Sequence, residues 1–278
     1  MDPLLIYPPQ QPVSTIYPPP TNQLSPEEKT SLLDKLCINY NIHEQYKNLL
    51  WEINDKHIIV LCDDSGSMNT KVDNMGNSRW NELSVTVSHI LEIAHIFDPL
   101  RMDIHFLNRP PIYGVKTTEQ IMQEFRRPPT GGTPLISKLY QIEEFYRNYQ
   151  YGKLLIIATD GSPTDSKYAD YREVNECMAK FMQQQYNVSF LICTEQPDQI
   201  QYINNIDKQY NKLDVSDDYI TELREIRNTQ GSKYNFSYGD YIVKVLVGSI
   251  NKKLDSLDET KLTSQDKNQQ VCNMCTIS

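Results

Sequence analysis

The chain has 278 residues, 39% of them hydrophobic and 23% charged, enough to bury one core of ordinary domain size with residues to spare. Its formal charge of -9, from 36 acidic against 27 basic residues, excludes a phosphate-neutralising basic stripe and with it a nucleic-acid binder. No apolar run approaches the roughly 20 residues of a membrane-spanning helix, and the first residues, "MDPLLIYPPQ", lack the basic flank and long apolar stretch of a signal peptide.

Residues 1–24 carry an imperfect repeat, "IYPPQQPVST" then "IYPPPTNQLS", too rich in proline and too poor in core formers to fold alone. Such an arm reads as an extended polyproline segment, and also as a ligand for an aromatic-lined groove of the SH3 or WW kind, because a preformed extended helix costs little entropy to bind. Residues 25–54 form a helical lead-in. Ser25 is the N-cap, Pro26 suits the first helical position and Glu28 completes a capping box, so a helix runs to about Cys37; "HEQYKNLLWEI" reads as a second.

From Lys56 onward apolar runs alternate with amphipathic helices, the pattern of a parallel sheet covered on both faces. "HIIVLC", "KLLIIAT" and "VSFLIC" are near-continuous apolar runs, as central parallel strands should be. "RMDIHFL" alternates, Met102, Ile104 and Phe106 against Asp103 and His105, which places it at or near an edge with a short antiparallel "PIYGV" outside it. A helix lies between the first two of these, with Trp80, Leu83, Val87, Ile90, Leu91, Ala94 and Phe97 on its core face. Further helices are expected over 134–147, 169–186, 197–210, 217–229 and 239–253, and "KLDV" is a candidate last strand. The fold class is therefore α/β: a Rossmann-like, doubly wound, mostly parallel sheet with one short antiparallel edge strand, preceded by a short helical segment.

Ligands of open parallel sheets gather at the carboxyl ends of the strands. Three polar groups fall there: Asp63, Ser65 and Ser67 in "DDSGS" after the first strand, Thr133 in "PPTGGTPL", and Asp160 after "KLLIIAT". They offer five oxygen-bearing side chains and no sulfur or imidazole, the donors of a hard cation such as Mg2+, which takes near-octahedral oxygen ligands at roughly 2.0–2.1 Å. Gly66 would let the first loop turn tightly. The alternative without a metal is that the serines cap the following helix and Asp63 accepts backbone N–H groups. Asp64, beside the motif, is expected to face solvent or a helix N-terminus.

"DDSGS" after a buried strand, then "GGTP", then an apolar strand ending in "TDG", in that order, resemble the metal-ion-dependent adhesion site of von Willebrand factor A domains, over residues 55–253. More narrowly, with Trp80, "IHFLN" and "RPPTGGTPL", the chain resembles the intracellular proteins of that family found in eukaryotic microbes. The resemblance implies Mg2+, with Mn2+ or Ca2+ as substitutes, held by Asp63, Ser65, Ser67 and Thr133, with Asp160 direct or through water. It implies binding rather than catalysis, the open coordination position filled by an Asp or Glu carboxylate of a protein partner. A metal-dependent hydrolase on the same fold is the alternative, but no G-x-S-x-G, Walker A loop, HExxH or D-x-D-x-T motif is present.

Residues 254–278 read as a flexible tail. The last four, Cys275-Thr276-Ile277-Ser278, satisfy C-a-a-X with a terminal serine that favours farnesyl, and Cys272 is a candidate second lipid site. The expectation is a cytoplasmic adaptor, peripheral to the cytosolic face of a membrane if lipidated and a soluble cytosolic binding module if not. Six cysteines without framework spacing fit a reducing compartment, and the sequons at Asn187 and Asn235 read as accidental.

Overall fold

The computed structural model describes residues 24–262, residue 195 excepted. The proline-tyrosine repeat and both C-terminal cysteines, Cys272 and Cys275, lie outside the described residues. Five parallel strands make the sheet: β1 (Lys56–Cys62), β2 (Met102–Phe106), β3 (Gly152–Thr159), β4 (Tyr186–Ile192) and β5 (Leu213–Ser216), in the order β2-β1-β3-β4-β5. The expected antiparallel edge segment is reduced to a single bridge, Ile112 exchanging hydrogen bonds of 2.8 and 2.9 Å with Ile104.

β1 and β3 have both faces buried, so their alternate residues enter different cores. Ile58, Val60 and Cys62 of β1 join one core with Leu154, Ile156 and Ala158 of β3; Ile59 and Leu61 join the other with Leu155 and Ile157. The first core is covered by α1 (Pro26–Tyr40), α3 (Arg79–Phe97), α4 (Thr118–Phe125) and α9 (Tyr238–Val247). On the second lie α5 (Leu135–Tyr146), α6 (Arg172–Gln183) and α7 (Pro197–Asp207). Between α7 and α9 runs α8 (Tyr219–Gln230); the short turns α2 (Glu44–Lys47) and α10 (Lys252–Asp255) complete the set.

The Ser25–Glu28 capping box starts α1 as the sequence predicts, and the second lead-in helix is one α turn that tightens into a 3-10 segment, Asn48–Ile53. Leu33, Leu50 and Ile53 of this lead-in are buried in the first core, so residues 25–54 are an integral layer of the domain. At the other end, the helix expected over 239–253 stops at Val247. Residues 254–262, assigned to the tail by composition, pack back: Leu254 and Leu257 are buried, and the Gln230 amide donates to the carbonyls of Leu257 and Thr260.

β2 is an edge strand, as its alternation predicts, yet its polar face is covered. Asp103 accepts from His57, at 2.7 Å, and from the Tyr146 hydroxyl of α5, whose oxygen also bonds His105 at 3.0 Å. Buried polar groups tolerate this because each has a partner. Cys37, Cys62 and Cys177 are buried free thiols and Cys193 is half-buried. Asn187 is buried with its amide donating to the Ser249 carbonyl, so the first sequon is closed to modification. Among the described residues no helix is long and apolar enough to cross a membrane.

Candidate metal centre

The chain goes from β1 outward to β2, then crosses back to β3 on the other side of β1. The crevice at that reversal lies between the carboxyl ends of β1 and β3, where such sheets bind ligands. In register, Cys62 pairs with Ala158, which brings Asp63 beside Thr159 and, one residue on, Asp160. The Asp63 amide donates to the Ala158 carbonyl at 2.9 Å, so the first site residue is still held by the sheet ladder.

Each carboxylate oxygen of Asp63 has a donor: the Ser65 amide at 2.9 Å and the Thr159 hydroxyl at 2.8 Å. The Ser65 and Ser67 hydroxyls are 3.0 Å apart, and Ser67 donates to Asp160 at 2.8 Å. Asp63, Ser65 and Asp160 are buried, while Ser67 is exposed and opens the cluster to solvent. Ser65 precedes a 3-10 turn, Gly66–Asn69, without capping it through its side chain.

The threonine loop docks on the serine loop. Gly66 donates to the Gly131 carbonyl at 3.1 Å, and Thr130 donates to that of Asp64 at 2.8 Å. Thr133 is buried, its amide donating to the Thr164 hydroxyl at 3.0 Å and its carbonyl accepting from the Thr164 amide at 2.9 Å. Its own hydroxyl makes no hydrogen bond among the described residues, so the structure docks the loop of Thr133 on the serine loop without bonding Thr133 to the other four. The tight turn belongs to Gly131 rather than Gly66. Gly131 has φ of +102°, and a Cβ there would meet the Asn108 amide oxygen at 2.7 Å.

Asp64 corrects the sequence expectation. It is fully buried, accepting from the Asn108 amide and side chain at 2.8 and 3.0 Å and pairing with Arg109 at 3.1 Å. Asn108 also donates to the Gly132 carbonyl at 2.9 Å, so Asp64 anchors the wall of the site rather than facing solvent.

Arg79, the first residue of α3, was not singled out by the sequence. Its guanidinium donates to Asp160 at 2.7 Å and to the Thr194 hydroxyl at 3.0 Å. Asp160 thus has a counter-ion; Asp63 has none among the described residues. Burial pushes the Asp63 carboxyl up to about 6, the Ser65 and Thr159 donors oppose the shift, and the Asp160 charge adds to it. Thr159, Asn108 and Thr164 were also missed: a signal for Thr159 was its place before Asp160, but the other two depend on contacts between distant loops. Among the described residues no group of three or more His, Cys, Asp or Glu converges as a metal site; the cluster has only two carboxylates and its other members are hydroxyls.

No protein-family model matches the chain, and no curated protein matches it. Among solved structures it is similar to proximal thread matrix protein 1 of the mussel byssus, at 16% identity and a TM-score of 0.43, over 70% of this chain and 48% of that one. The chain thus spans about half the length of that neighbour.

Proposed function

We propose that the chain is a divalent-metal-dependent protein-binding module of the von Willebrand factor A type. The observation that carries this reading is the meeting of Asp63, Ser65, Ser67 and Asp160 at the reversal point of the sheet, with one buried carboxylate lacking a cation. The donor set fits Mg2+: all are oxygens, Ser67 is open to solvent, and the Thr133 hydroxyl has no competing hydrogen bond among the described residues. Asp63, Ser65, Ser67 and Thr133 would hold the ion, with Asp160 direct or through water. When bound, Mg2+ supplies an electrophilic position for an Asp or Glu carboxylate of a protein partner.

The rest is the work of the chain itself. Thr159 and the Ser65 amide fix the Asp63 carboxylate, the Ser65–Ser67–Asp160 chain fixes the hydroxyls, and Asn108 with Asp64 holds the threonine loop in place. Binding rather than hydrolysis is favoured because the five histidines are engaged elsewhere, with Asp240, Asp103, Val85, Val115 and Tyr146.

Thermal unfolding with and without Mg2+ tests the reading. An ion at a hundred times its dissociation constant stabilises by about 2.7 kcal/mol, a rise in Tm of roughly 5–10 °C for a domain of this size. Wild type should show the rise, and Asp63→Ala and Thr133→Ala should both lose it. A rise kept by both variants, or absent from wild type at millimolar Mg2+, sinks the proposal.

A further inference from the structure

Next to the oxygen cluster, and sharing Arg79 with it, is a cavity of about 330 Å³ between the start of α3 and the starts of α8 and α9. That is the lower end of the range for ligand pockets and suits one long side chain. Leu83, Leu191 and Cys193 line it together with the rings of Tyr219, Tyr238 and Tyr241, whose centroids lie 5.2, 5.6 and 5.7 Å apart. Every one of the three hydroxyls is engaged. Tyr219 donates to the Phe236 carbonyl at 3.3 Å, Tyr238 bonds the Thr86 hydroxyl at 2.8 Å, and Tyr241 donates to the Asp217 carbonyl at 2.9 Å. The rings are therefore fixed before any ligand arrives, which lowers the ordering cost of binding.

The unpaired charge on the lining itself is acidic, while Lys71, bonded to the Gly76 carbonyl, lines the adjoining cavity that shares Arg79, Glu82 and Asp218. Arg79 is neutralised by Asp160, whereas neither Glu82 nor Asp218 has an ion pair among the described residues. Burial holds the Glu82 carboxyl above its ordinary value, and the charges of Asp218 and Asp73 raise it further, so like charges crowd this opening. Asp218 keeps one oxygen on the amides of Ile220 and Thr221 as the cap of α8. Outside, Val85 and Ile220 are 45% and 59% exposed, an apolar lip that a single small molecule in the cavity would leave uncovered.

We propose that this cavity receives a lysine or arginine side chain of the protein partner whose carboxylate meets the oxygen cluster. The proposal rests on the reading above that a partner approaches this end of the sheet. The aliphatic stem would lie along Leu83 and Leu191, the charged head would pair with Glu82 and Asp218, and the tyrosines would add cation–π attraction. An apolar side chain would leave two carboxylates desolvated and unpaired, and an anion would be repelled by them.

The test uses the full chain and labelled peptides that carry one Glu and, two to four residues away, Lys, Arg, Met or Ala, with fluorescence anisotropy as the readout in Mg2+ and in EDTA. Peptides with Lys or Arg at the favoured spacing should bind about tenfold tighter than their Met and Ala counterparts, a difference of one interaction of about 1.4 kcal/mol. Glu82→Gln combined with Asp218→Asn should abolish that preference, since Asn still caps α8 and folding is kept. Glu119→Gln with Glu176→Gln, an equal change of charge on exposed sites elsewhere, should leave it intact.

Equal binding of the Lys and Met peptides, no loss in the Glu82–Asp218 pair, an equal loss in the control pair, or no binding by any peptide overturns the proposal. So does free tetramethylammonium displacing the peptide at an equal concentration, which would make this a site for small cations. The metal reading is separable. If the Glu dependence requires Mg2+ and Asp63 but Lys adds nothing, the cavity proposal fails alone; if the Lys preference survives EDTA and Asp63→Ala, only the metal reading fails.

Discussion

Arg79 begins α3, where the helix dipole disfavours a cation, and it is held there by Asp160 and Thr194. This ion pair settles half of the charge problem posed by two buried carboxylates meeting at one crevice. It also sets Arg79 against any cation that shares Asp160. Arg79→Gln should lower the Tm of the metal-free protein and tighten Mg2+ binding several-fold, read by calorimetric titration beside thermal unfolding. Unchanged Mg2+ affinity would show that Arg79 does not compete for the site. Four of the candidate residues were legible in the sequence because they follow apolar strands that could themselves be read, and Thr133 because it stands in a glycine loop just before a readable helix. Arg79 was not, because its partner lies 81 residues away and an arginine at the start of a helix has many bland explanations. Asp64 was misread for a related reason: nothing local announces that Asn108 and Arg109 will bury it.

Among the elements, the central strands were plain because burial on both faces leaves little room for alternation, and β1, β3 and β4 are near-continuous apolar runs. Edge geometry was harder. Ile112 contributes one bridge rather than a strand: at Gly114, whose φ is +58°, the ladder is interrupted, the Gly114 amide bonding the Asp103 carboxylate at 2.7 Å before the Val115 amide returns to the Met102 carbonyl at 2.9 Å. The end of the last long helix had a local signal in Gly248, directly after Val247; what tertiary structure alone adds is that a Cβ there would sit 2.5 Å from the Asp214 carboxyl carbon. Gly239, near the other end of α9, shows the same kind of constraint, because a Cβ there would lie 2.2 Å from the Tyr40 carbonyl oxygen at the end of α1. Gly239→Ala should therefore cost about 1–3 kcal/mol by forcing α1 and α9 apart. Urea unfolding would measure it, and a midpoint equal to wild type would mean that the lead-in helix is not clamped as tightly as that contact requires.

At the scale of the whole molecule, the β5 side is organised around Lys244, which is almost fully buried and lies 3.0 Å from Glu222, 3.5 Å from Asp258 and 3.6 Å from Asp214. One ammonium faces three carboxylates, and burial outweighs its attraction: Asp214 and Glu222 are pushed up to about 7. Burial likewise raises Asp217 to about 7, and Asp63 and Asp207 to about 6. All five acids bind protons more tightly folded than unfolded, so their contribution to stability is present at acid pH and is lost as pH rises from about 4 to about 7. His105, which burial lowers to about 4, acts in the opposite sense, its contribution being lost as pH falls below about 6.5, but it is one group against five; Asp73, Asp170 and Glu143, lowered by their donors, also oppose but titrate below this window. In EDTA the urea midpoint should be higher at pH 5 than at pH 8. A midpoint that rises towards pH 8 would mean the buried acids are better compensated than their surroundings indicate. The composition could bound the domain and its acidity, but not this gathering, which joins residues from β5, α8, α9 and the segment after α10.

The described chain also has a polarity. Lys29 in the second turn of α1 bonds Asn54 just before β1, and Leu262 at the last described position bonds Gln230 at the end of α8. Both anchors belong to the side where the strands begin, whereas the oxygen cluster and the tyrosine cavity open where they finish. The first and last described residues thus leave the domain at the end of the sheet opposite the cluster and the cavity, so neither anchor itself shades that opening.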